Sequence, residues 1–75
     1  MKITTNLNRT KTAHNLKAIR ERTGYSLESL SKETGLSVGT LHALEEGTLN
    51  LSVAHLVSFA NLYRVKPSEL IVTEG

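Results

Sequence analysis

The chain contains no cysteine and no aspartate. Without cysteine there is no disulfide framework and no thiolate-ligated zinc site, a usage that suits a reducing compartment. Without aspartate, neither an Asp-based catalytic triad nor an Asp metal cluster can be assembled. The three histidines, His14, His42 and His55, show no His-x-x-x-His ligand spacing, and each reads first as a surface or helix-flank residue. Glu45 and Glu46 are adjacent, so on a helix they diverge and make a poor acid–base pair. There is no Gly-rich phosphate loop. The opening "MKITTNLNRTK" has no apolar run that could serve as a signal peptide, and no stretch approaches the length of a bilayer span. These absences predict a cytoplasmic protein that is not an enzyme, has no cofactor and no metal, and does not enter a membrane.

What is present fits one domain of 75 residues with a thin core. The net charge of +2 conceals an asymmetry. Residues 1–25 hold Lys2, Arg9, Lys11, Lys17, Arg20 and Arg22 against Glu21 alone, whereas residues 26–75 hold Lys32, Arg64 and Lys66 against Glu28, Glu33, Glu45, Glu46, Glu69 and Glu74. The basic end could touch a polyanion. The same modest excess is also what an ordinary solvated surface looks like.

Residues 1–11 are polar, rich in Thr and Asn, and read as a loose arm; residues 12–72 carry helical periodicity, and 73–75 form a tail. A first segment, Thr12 to Thr23, aligns Ala13, Leu16 and Ile19 and stops at Gly24 as a C-cap. A second opens at Ser26, an N-cap with Glu28 in the first turn, turns Leu27 and Leu30 inward and stops at Gly35. A third opens at Ser37, spaces Val38, Leu41 and Leu44 helically and closes at Gly47. A fourth opens at Ser52 and carries Val53, Leu56, Val57 and Ala60, with Leu62 or Tyr63. Pro67 fits the first turn of a short last helix, "PSEL", with Lys66 at its cap. The tail "LIVT" is the one place where a period of two could apply. The prediction is an all-α bundle of five short helices.

The second and third segments are joined only by "TGLS". So short a connection makes two helices cross steeply, with Gly35 in the left-handed region and Leu36 tucked under the corner. Leu30, Leu41 and Leu44 would fix the crossing. The second of the two helices then stands out as a prong for a DNA major groove.

"NLKAIRERTGYSLESLSKETGLSVGTLHALEEGTLNLSVAHLVSFANLYRVKPSEL" resembles the XRE/Cro-type helix-turn-helix family of phage repressors and small bacterial regulators. The likeness spans Asn15 to about Leu70 and includes the closing Glu45-x-Gly47 of the third segment. It implies the compact five-helix lambda-repressor-like fold, with the helix-turn-helix at about 26–46. It further implies an ion pair of Arg20 with Glu45, and a reading face made of Val38, Gly39, Thr40, His42 and Ala43. Backbone phosphates would be met by Lys11, Lys17, Arg22, Ser37, Thr48, Asn50 and the amides at Ser26 and Leu27. Dimerisation would use the last helices, through Phe59, Tyr63, Ile71 and Val72; these residues could equally complete the monomer core.

The chain departs from that pattern at informative places. Leu27 replaces a common Gln and loses its hydrogen bond. Ser31 replaces the usual Ala, and its hydroxyl needs an acceptor, such as a carbonyl one turn back. Leu51 stands where Pro is frequent, and "LNLSV" is similar to the restriction–modification controller branch. Most of all, "SVGTLHALEEG" has no Arg, Lys, Gln or Asn, the side chains whose bidentate base contacts discriminate by ~1–3 kcal/mol. His42 and Thr40 remain as polar readers, Val38 and Ala43 can touch thymine methyls, and Gly39 gives up roughly 1 kcal/mol of helix propensity while permitting close backbone approach. Glu46 would repel phosphate unless it accepts from a cytosine amino group.

Two functions follow from this. The first is a sequence-specific double-stranded DNA-binding regulator, a homodimer on a palindromic operator. The second is an antitoxin or similar module that keeps the fold but binds a protein partner.

Overall fold

The computed structural model describes residues 8–73. They form five helices, α1 (Arg9–Arg22), α2 (Leu27–Thr34), α3 (Val38–Glu46), α4 (Val53–Tyr63) and α5 (Pro67–Leu70). Four of them start on a short polar side chain that takes up one of the first free amides. Asn8 Oδ1 accepts from Lys11 N, and the hydroxyls of Ser26, Ser37 and Ser52 accept from Ser29, Thr40 and His55. At α5 the proline sits in the first turn, and the Glu69 carboxylate accepts from Lys66 N at 2.7 Å.

The first helix starts earlier than its apolar stripe indicates. Asn8 is in an extended conformation and caps it, so residues 9–11 of the expected arm are helical. The rest of that arm, residues 1–7, lies outside the described residues. The Ser31 hydroxyl also differs from expectation. It donates forward, across the corner, to the Leu36 carbonyl, so it braces the α2–α3 turn instead of back-bonding within its helix. The turn itself runs through Gly35 at φ 79°, a left-handed conformation that a Cβ disfavours.

Leu16 and Ile19 of α1, Leu30 of α2, Leu41 and Leu44 of α3, Phe59 and Ala60 of α4 and Leu70 of α5 form one buried cluster. Leu30, Leu41 and Leu70 are the most fully enclosed, each worth roughly 1.5–3 kcal/mol of burial. All five helices therefore contribute to a single core, and α3 is held in it by contacts to both α1 and α2.

Phe59 sits in the core of the single chain: it is 3 % exposed and stacks on Tyr63, with ring centroids 6.2 Å apart. Tyr63 is half-buried and also meets Tyr25 edge-on at 6.0 Å. Ile71 and Val72 are half-buried. Val72 is latched to the start of α1: Asn8 N donates to its carbonyl at 2.8 Å, and its own N–H donates to the buried Thr12 hydroxyl at 2.9 Å.

Candidate nucleic-acid interface

α3 is defined by its two ends. Ser37 caps the first turn, leaving the amides of Val38 and Gly39 without an acceptor among the described residues. These are the amides an anion would meet. Gly47 ends the helix at φ 78°, with its Cα face against α1: an added Cβ would lie 3.6 Å from Ala13 Cβ. The inner face is closed by Leu41, Leu44 and Glu45. What remains outward is Val38, Gly39, His42 and Glu46, which are exposed, with Thr40 and Ala43 half-buried beside them.

Orientation is set by an ion pair. Arg20 Nε lies 2.7 Å from Glu45 Oε2, and both side chains are nearly buried. A second guanidinium nitrogen, Nη1, donates to the Tyr25 carbonyl at 2.8 Å, so one side chain ties α1, the α1–α2 loop and α3 together. The hydrogen bond that Arg20 donates to Glu45 holds the guanidinium above its already high range, against the desolvation that burial imposes. Next to this pair, burial and then the Glu45 carboxylate push the Tyr63 phenol up to about 12.

The polar groups expected at phosphates fall into different situations. Thr48 turns both its N–H and its hydroxyl onto the Ala43 carbonyl, at 3.0 and 3.3 Å. Thr40 shares the Ser37 hydroxyl at 2.9 Å. Asn50 accepts from Arg9 Nη1 at 2.6 Å, which leaves its amide NH2 free to donate. At the start of α2, Ser29 completes a mutual cap with Ser26, and the Leu27 side chain packs on the core, so only its backbone amide faces outward. Lys11, Lys17 and Arg22 are all exposed, but they do not form one patch. Lys11 and Arg22 are about three turns apart and share a flank of α1, whereas Lys17 lies on the opposite flank of the buried stripe.

Arg9 lies within the polar stretch that precedes the apolar stripe, yet it is the first residue of α1. The signal that marks it is the "NR" pair, a capping Asn followed by a first-turn Arg. Arg9 and Asn50 also rim a groove of about 450 Å³ floored by Ala13, Leu16, Leu44, Leu49 and Leu51. Among the described residues no three metal-ligating side chains converge, and no helix is long and apolar enough to cross a membrane.

The comparisons agree with this geometry. A helix-turn-helix family model matches residues 16–70. The restriction–modification controller protein C.AhdI from Aeromonas hydrophila superposes with a TM-score of 0.79 at 27% identity, over 84% of this chain and 96% of that one. The DNA-binding domain of BldD superposes with a TM-score of 0.76 at 24% identity, over 85% of this chain and 93% of that one, a likeness of fold. No curated protein matches the sequence. With its capped prong, its braced corner and a family match over most of its length, the chain belongs to the XRE-type helix-turn-helix family of DNA-binding transcription regulators.

Proposed function

We propose that this chain is a sequence-specific regulator that acts in the cytoplasm as a homodimer on a palindrome-like operator, with α3 in the major groove. The observation that carries the reading is the outward face of α3, Val38, Gly39, His42 and Glu46, held at a fixed angle by the Arg20–Glu45 pair while the amides of Val38 and Gly39 stay free. On such a face methyl contacts, close backbone approach and duplex shape do most of the discrimination. Positioning comes from Lys11, Lys17, Arg22, the Asn50 amide and the free amides at the starts of α2 and α3. Thr40, Ala43 and Thr48 contribute through the caps they complete. One domain of this size reads few bases, so two copies on a two-fold site are needed for useful specificity. On α4, Val53 and Val57 lie one turn apart and are 77% and 44% exposed. This apolar ridge is the candidate contact between copies in place of Phe59, alongside the expected Tyr63, Ile71 and Val72. The loop "LNLSV" and the superposition on C.AhdI support a place in the controller branch.

Selection of duplexes from a randomised library, followed by titration of the recovered sequence at several salt concentrations, tests the proposal. A two-fold symmetric consensus and a steep loss of affinity with salt are expected. The absence of Arg and Lys from α3 favours the second reading, a module for a protein partner. That reading takes over if no duplex is recovered at low salt while a protein co-purifies in fixed ratio.

A further inference from the structure

The charges on α3 do not balance on the side that faces outward. Glu45 is consumed by Arg20 inside the fold. Glu46 is not: its side chain is 50% exposed, and the group that approaches it is His42, Nε2 to Oε2 at 3.8 Å, one turn back and itself 64% exposed. α1 and α2 pack against α3. From α1 the charges presented are Arg20, already committed, and Arg9, whose backbone lies beside Gly47 and whose guanidinium donates to Asn50. From α2 the charged residues are Glu28, Lys32 and Glu33, and among the described residues neither His42 nor Glu46 makes any other ion pair within 4.0 Å. A carboxylate carried toward a phosphate backbone is repelled, and one residue on the same face can cancel it. Histidine does so only when it carries a proton.

We propose that α3 engages DNA in a proton-coupled state, with His42 protonated so that it neutralises Glu46 on the reading face. The inference rests on the DNA-binding reading above and adds its regulation. The proton comes from solvent as the complex forms, so affinity rises as pH falls. The imidazolium has a second N–H, at Nδ1, free to donate to a guanine or a phosphate while Nε2 faces Glu46. His42 and Glu46 thus act as one unit that decides both when the helix can approach and what it can donate.

Binding of the full chain to the duplex recovered by selection is measured at constant salt between about pH 6 and pH 8, the range in which histidine changes charge. Affinity should be at least about tenfold higher at the acid end, within the limit of tenfold per pH unit for each coupled proton, two per bound dimer. His42→Gln should flatten this dependence, and Glu46→Gln should bring binding near pH 8 up to the wild-type value near pH 6. His14→Gln, on the exposed side of α1, should leave the dependence intact. A flat wild-type profile, or the full dependence surviving in His42→Gln or Glu46→Gln, overturns the proposal while leaving DNA binding standing. Failure of any duplex to bind at either pH overturns the DNA reading, and this proposal falls with it.

Discussion

Arg20 of α1 and Glu45 of α3 are joined at 2.7 Å inside the fold, and the same guanidinium also holds the Tyr25 carbonyl. α3 is thus tied to α1 by a charge pair as well as by apolar packing. Glu45→Ala removes one partner and strands a buried cation. It should cost about 3 kcal/mol or more of stability, read from urea unfolding. Replacing both residues by apolar ones of similar size, Arg20→Met with Glu45→Leu, should recover most of that stability. DNA affinity should stay low if the pair sets the helix angle.

Gly39 has no steric reason within the chain to be glycine: an added Cβ would find only Ser37 Oγ, at 3.9 Å. Gly39→Ala should therefore stabilise α3 by about 0.5–1 kcal/mol. If the backbone there lies close to a base pair, the same variant should bind the selected duplex more weakly. Opposite signs in unfolding and binding measurements would assign the glycine to DNA approach.

Thr12 is buried, and its hydroxyl accepts from Val72 N. Thr12→Val keeps the shape but leaves that N–H without its acceptor. A loss of about 1–2 kcal/mol is expected, accompanied by faster hydrogen exchange at the Val72 amide than at amides in the middle of α4.

Tyr63 gives a dependence at the alkaline end. Its phenol is pushed up to about 12 in the fold by burial and by Glu45, whereas an unfolded tyrosine ionises near 10. The unfolded chain loses the proton first. The contribution is therefore whole below about pH 10 and is lost as pH rises from there toward 12. Tyr63→Phe should show a shallower decline of unfolding free energy across that window than the parent.

Much of α3 was legible because its ends are written in residue types with strong local preferences. Ser37 and Gly47 bracket it, and Leu41 and Leu44 point it inward. The Arg20–Glu45 pair was legible only through family resemblance, since nothing local links residues 25 positions apart. Arg9 with Asn50 was not legible at all, because two polar residues separated by 41 positions leave no periodic mark. In α4, apolar residues occur on every side. The pattern cannot tell Phe59, which is enclosed, from Val53, which is 77% exposed; that division is imposed by where α5 and α2 lie against α4. The left-handed Arg64 that ends α4, at φ 57°, was equally silent, because no glycine or asparagine announces it.

The latch between Asn8 and Val72 makes the described chain almost a closed ring. Its first and last hydrogen-bonded residues meet at 2.8 Å, so the order in which the helices are threaded matters less than their neighbourhood. A short linker across this junction, with new termini opened in the Thr23–Gly24 loop, should give a permuted chain that keeps the same five helices. The two ends of the described chain thus lie side by side, and a linker or label placed at either end starts from the same corner of the domain.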